Sequence, residues 1–137
     1  MITFEVVGET VAQGRPRAGK SWGGHTVLYD PAKSRHFKEY VKLVASQHAP
    51  AELLACPLKV YVKIYRNIPK SFSKKKKEDA ENGILRPVTK PDVDNYYKGI
   101  GDALNNVIWE DDSQVVSLTI EKYYSNRPRA EIQISEA

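Results

Sequence analysis

A single cysteine in 137 residues excludes an internal disulfide framework, and a chain built without disulfides suits a reducing cytoplasm. Cys56 itself, in ACP ahead of an apolar run, is expected as a small buried hydrophobe. The histidines, His25, His36 and His48, are too scattered for a zinc site. No apolar run approaches the roughly 18 residues of a membrane span. The opening MITFEVVGET lacks a signal-peptide h-region, so neither a membrane nor a secretory destination is expected. No segment repeats, and KKKK is the only low-complexity run. No Ser, Cys or His stands in a nucleophile–base arrangement, which leaves water as the nucleophile of any hydrolysis.

What is present is globular: 41% hydrophobic and 28% charged residues describe a chain that can bury a core. Residues 1–137 are expected to form a single domain. A net charge of +4 and a pI near 9.1 suit a polyanionic partner. ITFEVV alternates as a half-buried strand, and AQGRPRAGKSWGGHTVLYDP reads as a loop or open hairpin returning through HTVLY. From Pro31, with Asp30 as cap, Phe37, Val41, Val44 and Ala45 fall at helical spacing. LKVYVKIYR alternates Leu58, Val60, Val62 and Ile64 against Lys59, Tyr61, Lys63 and Tyr65, the clearest strand. A short helix in SFSKKKKEDAENG has Ser73 as cap and Gly83 as stop. QVVSLTIEKYY and AEIQIS alternate again around SNRPR, which predicts a closing hairpin. The class is α+β, with helices packed on a mixed, mainly antiparallel sheet.

The acids gather around one segment, TKPDVDNYYKGIGDALNNVIWEDDSQV. On a helical wheel Val93, Tyr96, Tyr97, Ile100, Leu104, Val107 and Ile108 share a face, with Asp94, Lys98, Asp102 and Asn105 opposite. Asp92 fits the N-cap position, and Asp94 precedes Lys98 by four, the favourable order for an ion pair. Gly99 and Gly101 cost the helix about 1 kcal/mol each against Ala, which implies something packed closely on the bare backbone. Capping and ion pairing account for the acids one by one. Taken together they also suit a metal. A helix of about 14 residues is ~21 Å long, so Asp111 and Asp112 rejoin Asp92 and Asp94 only if the chain doubles back. The strand from Gln114 would then begin beside the helix start. Gathered carboxylates repel unless a cation holds them, and oxygen donors without His or Cys favour Mg²⁺ or Mn²⁺. An EF-hand is excluded, because counting from Asp92 puts Tyr97 where glycine is required. Acids with hard cations in a basic protein are equipment for phosphodiester cleavage.

D-V-D-N-x-x-K-x-x-x-D-A-L followed by I-W-E-D-D-S-Q-V resembles the signature of the RusA-like Holliday junction resolvases, the crossover junction endodeoxyribonucleases. The core of the resemblance runs from Lys90 to Val116, and GRPR at Gly14 to Arg17 and the closing strands are similar too. These are small enzymes, often borne by phages or prophages. The resemblance implies a homodimer that resolves four-way junction DNA by paired nicks with Mg²⁺ or Mn²⁺. It places Asp92, Asp94 and Asp112 as metal ligands and catalytic acids, and Lys98 as the catalytic lysine. Asp111 remains a possible support for Asp112. Asp102 matches a recurrent position and is equally open to a structural role. Glycines at positions 99 and 101, where alanine is commoner, are the one departure.

Lys74, Lys75, Lys76 and Lys77 open the short helix ahead of Glu78, Asp79 and Glu81, against the helix dipole and in the weaker ordering of charge pairs. Helix stability does not explain the run, whereas contact with phosphates does. Arg15 and Arg17, in a glycine-containing loop near Trp22 and Tyr29, form a second expected DNA surface; Arg127 and Arg129 read as turn residues. A metal-dependent endonuclease acting on four-way junctions is the expectation. A DNA-binding protein without catalysis, of phage or prophage origin, and an interaction module for an acidic partner protein are its rivals.

Overall fold

The computed structural model describes residues 1–12, 17–20, 26–29 and 32–137, the second and third of these as backbone alone. In chain order the elements are β1 (Ile2–Val7), β2 (Arg17–Lys20), β3 (Thr26–Tyr29), α1 (Ala32–Ser46), β4 (Leu58–Asn67), α2 (Lys74–Glu81), α3 (Val93–Leu104), β5 (Val115–Ser125) and β6 (Arg129–Glu136). Asp30 and Pro31, the expected start of α1, lie outside the described residues. The arrangement is α+β. β2 and β3 pair as an antiparallel ribbon, the expected open hairpin. The other strands form a sheet in the order β1-β6-β4-β5, antiparallel except between β4 and β5.

The strand with the most regular alternation lies inside the sheet. Leu58, Val60, Val62 and Ile64 of β4 are all buried, and Ala130, Ile132 and Ile134 of β6 lie beside them. Each such Leu or Ile contributes about 1.5–3 kcal/mol by leaving water. Phe37, Val41 and Ala45 of α1, one helical turn apart, join Tyr96, Ile100, Ala103 and Leu104 of α3 over this row. No helix among the described residues is long and apolar enough to cross a membrane.

The closing hairpin does not form. β6 pairs with β1 and β4, while β5 pairs with the far side of β4. Register explains the detour. Ser125 sits opposite Asn67 and Arg129 opposite Tyr65, so residues 126–128 carry the chain over the end of β4. That connection has none of the two-residue signals of a tight hairpin, and Pro128 has no N–H to extend a ladder. The edge beyond β4 falls to β5, which buries little: Val116 is 65% and Leu118 42% exposed. Cys56 is likewise only half-buried, because it precedes β4 and does not share its inward row.

α2 follows its sequence signals. The Ser73 side chain accepts the Lys76 amide at 3.2 Å, and Gly83 takes a left-handed φ of 78° just beyond the helix. α3 is shorter than expected, 12 residues ending at Leu104. Asn106 then adopts φ 63°, a conformation asparagine tolerates better than most residues. Val107, Ile108 and Trp109 therefore enter the core from a turn. Trp109 is fully buried, and its indole N–H donates to Asn105 Oδ1 at 2.7 Å.

Candidate active site at the two ends of α3

α3 runs along the sheet from the Arg66 end of β4 to the Leu58 end. At its start, Asp92 holds the extended backbone of an N-cap residue (φ −72°, ψ 156°) but makes no side-chain capping bond. Asp94 lies in the first turn and Lys98 one turn further, all three exposed. The expected Asp94–Lys98 ion pair and Asp92 cap are both missing among the described residues. The helix entry is held from upstream instead. Arg66 Nη1 donates to Thr89 Oγ1 at 3.2 Å and to the carbonyls of Thr89 and Lys90 at 3.5 and 3.3 Å. Lys122 Nζ donates to the carbonyls of Thr89 and Pro91, each at 3.0 Å. With the chain fixed before it, Asp92 is not needed as a cap. Its carboxylate borders an open cleft of about 500 Å³ lined by Lys90, Pro91, Asp92 and Asn95.

The far end is built differently. Asp111 caps a 3₁₀ turn, Asp112–Gln114: its side chain accepts the Ser113 amide at 3.1 Å, and Gln114 Oε1 accepts the Asp111 amide at 2.9 Å. Gln114 Nε2 also donates to the carbonyls of Leu54 and Cys56, at 2.8 and 3.1 Å, so one side chain ties the turn to the segment before β4. The Asp111 and Asp112 carboxyls hydrogen-bond each other. The Ser113 amide, with that contact, holds Asp111 below the usual carboxylate range. Asp112 is raised, by the hydrogen bond with Asp111, by partial burial and by the charges of Asp111 and Asp102. The Tyr97 hydroxyl is buried without a hydrogen-bond partner among the described residues and pushed up to about 12, by burial first and by Asp112 second. Gly101 answers part of the glycine question: a Cβ there would meet the Tyr97 ring at 3.2 Å. Asp102 pairs with Lys38 at 3.7 Å, across the contact between α1 and α3.

The chain therefore doubles back, but with a different register from the one expected. β5 starts opposite Leu58, at the foot of the sheet, and comes level with the helix start only at Lys122. Asp112 is left beside the middle and second half of α3, near Tyr97 and Asp102. Among the described residues, no three His, Cys, Asp or Glu side chains stand close enough together to hold a metal ion. In kind the donors do fit a hard divalent cation: carboxylate oxygens at Asp92 and Asp94 without protein partners among the described residues, and a carboxyl pair at Asp111 and Asp112 that repels when both are charged.

Residues 8–135 match the family described as Endodeoxyribonuclease RusA. The chain belongs to that family. It is also 58% identical over 137 residues to "Uncharacterized protein YqaN" of Bacillus subtilis (strain 168), covering 98% of this chain and 96% of that protein. Membership in the RusA family carries endodeoxyribonuclease activity as the family's chemistry.

Of the basic residues expected on this RusA chain, Lys74, Lys75, Lys76 and Lys77 are all exposed at the start of α2. Lys75 approaches Asp79 at 3.9 Å and Lys76 lies over the Phe72 ring at 5.5 Å. Exposed contacts of this sort contribute little to stability and leave the ammonium groups in solvent. Arg15 lies outside the described residues; Arg17 is described only as backbone, paired with Tyr29. Arg127 grips Glu5 at 3.0 Å, and Arg129 bonds Glu131 at 3.0 Å while lying 3.8 Å over the Tyr65 ring. Both are occupied within the fold. Sequence reasoning missed Arg66, Lys122 and Tyr97. For Lys122 a signal existed, since it continues the row of Leu118 and Ile120, where an apolar residue is the rule.

Proposed function

We propose that this RusA-family chain is a metal-dependent, structure-selective endodeoxyribonuclease that resolves four-way (Holliday) DNA junctions by paired, symmetric nicks. The family match across residues 8–135 is the observation that carries the reading. The carboxylates of Asp92 and Asp94, without a protein partner among the described residues, support it, Asp92 bordering an open cleft. In this reading Asp92, Asp94 and Asp112 hold Mg²⁺ or Mn²⁺, with Asp111 supporting Asp112 through their shared hydrogen bond. A cation held there would supply the Lewis acidity that activates water near neutral pH and the charge that steadies a leaving oxygen. Lys98 places a positive charge where the scissile phosphate gathers negative charge. Lys74 to Lys77, with Arg15 and Arg17, grip backbone phosphates and set orientation, not sequence. The working unit is a cytoplasmic homodimer of single-domain chains. A four-way junction is near two-fold symmetric, and separating its duplexes needs two cuts, which a two-fold dimer supplies in matching orientation.

Incubation of the protein with a labelled synthetic four-way junction, with and without Mg²⁺, beside a linear duplex of the same sequence, tests the proposal. Nicks on opposing strands of the junction, dependent on the metal and scarce on the duplex, are expected. Tight junction binding with no cleavage in Mg²⁺ or Mn²⁺ means a DNA-binding protein without catalysis. Light scattering on the active species reads the dimer, and full activity from a monomer rules that part out.

A further inference from the structure

Arg66 and Lys122 stand two positions apart across the β4–β5 ladder, where Ile64 faces Lys122 and Arg66 faces Tyr124. Together they hold the carbonyls of Thr89, Lys90 and Pro91, the three residues immediately before Asp92. Lys122 is itself tied down, because its carbonyl accepts Arg86 Nε at 2.6 Å. A helix start is ordinarily set by the bond from the cap side chain to the first amides. Here that bond is missing and two cations on the sheet do the setting. Charged donors on carbonyl acceptors are the strong, directional kind of hydrogen bond, and half-buried side chains on paired strands are a rigid base for them.

We propose that Arg66 and Lys122 are positioning residues of the hydrolytic site: by clamping Thr89–Pro91 they set where Asp92 and Asp94 present their oxygens to the metal ion. This rests on the nuclease reading above. Neither residue touches the substrate; each acts through backbone. The competing role is that of phosphate anchors for the junction, and the two roles part in measurement.

The experiment takes Lys122→Met, Arg66→Gln and the conservative Lys122→Arg and Arg66→Lys, with wild type beside them. Mn²⁺ binding is read by paramagnetic resonance without DNA, nicking is titrated against Mg²⁺ at saturating junction, and junction affinity is measured in EDTA. For Lys122→Met and Arg66→Gln the Mn²⁺ dissociation constant and the Mg²⁺ needed for half-maximal nicking are expected to rise by about 10-fold or more, as for residues that orient metal ligands. Junction affinity in EDTA stays unchanged, and the conservative variants recover most of the loss. Hydrogen exchange at the amides of Val93 to Tyr96 quickens in the same two variants, and far-UV dichroism shows which of them fold. Should Lys122→Met not fold, Arg66→Gln, at the end of its strand, carries the same measurements. Unaltered Mn²⁺ affinity in the folded variants overturns the clamp, as does a loss of junction affinity with metal affinity intact, the mark of phosphate anchors. Wild type that neither nicks nor binds Mn²⁺ overturns the nuclease reading and the clamp with it; wild type that does both, beside indistinguishable variants, overturns the clamp alone.

Discussion

At the N-terminal end of α3, Asp92 and Asp94 have no protein partner among the described residues, whereas Asp102, Asp111 and Asp112, within and beyond its C-terminal half, are engaged. Asp102 pairs with Lys38, Asp111 caps a turn, and Asp112 shares a hydrogen bond with Asp111. Engaged carboxylates contribute to the fold and are oriented by it. Free ones contribute less, chiefly through the helix dipole, and they keep their lone pairs for a ligand. The contrast has a structural cause: the N-terminal end is held by Arg66 and Lys122 through main-chain carbonyls, so its acids are spared that work. At the other end the acids and Gln114 are themselves what holds the turn.

Removing a free acid should abolish function and leave the fold intact. Asp94→Asn keeps shape and deletes a charge, and junction nicking is expected to fall below detection while binding, which draws on Lys and Arg, is kept or tightened. Wild-type nicking by the purified variant would break the contrast at its root. Lys98→Ala comes next, with a rate loss of roughly 10²–10³-fold, as for removal of one transition-state charge partner. Its junction affinity should barely change, and single-turnover kinetics beside a binding titration separates the two. A large loss of affinity at an unaltered rate makes Lys98 an anchor.

Replacing Lys74, Lys75, Lys76 and Lys77 together with Gln moves a smaller quantity. Junction binding weakens, and its salt slope flattens by about 0.9 for each lysine that had engaged duplex phosphate, with cleavage at saturating protein preserved. An unchanged slope returns the run to a solvated helix face. The smallest effect is the most direct test of the two ends. Asp111→Ala removes the turn's cap and should lower the melting temperature measurably, while Asp92→Ala, with no capping bond to lose, should leave it within error of wild type. Equal melting temperatures for the two variants show that the engaged and free ends do not differ in what they give the fold.

Much of the fold was legible in the sequence, because local patterns report on local environments. The alternation of Leu58 to Ile64 marks a strand with one buried face, and the turn-by-turn spacing of Phe37, Val41 and Ala45 marks the buried side of a helix. Ser73 as cap and Gly83 as stop depend on bonds and torsions within a few residues, and both are found. The candidate site was legible as a set of residue types at a given spacing, and as a family signature from Lys90 to Val116. It was not legible as an arrangement. Asp92 satisfies every sequence rule for a cap and does not cap, because residues 26 and 30 positions away along the chain, Arg66 and Lys122, have already fixed the helix entry.

By itself the sequence determined which segments are strands and helices, which of their faces are apolar, and which family the chain belongs to. Only the tertiary structure decided which strands pair. Alternation is the same whether a strand's neighbour is the next in the chain or one 50 residues away, so the hairpin expected around SNRPR gave way to β4 lying between β5 and β6. That choice starts β5 at the foot of the sheet, leaves Asp112 beside Asp102 and Tyr97, and brings Lys122 level with Pro91. Strand pairing is a contest among distant segments for the centre of the sheet. β4, with the most complete apolar row, takes an interior place, and the ends of α3 acquire their different characters from what that leaves beside them.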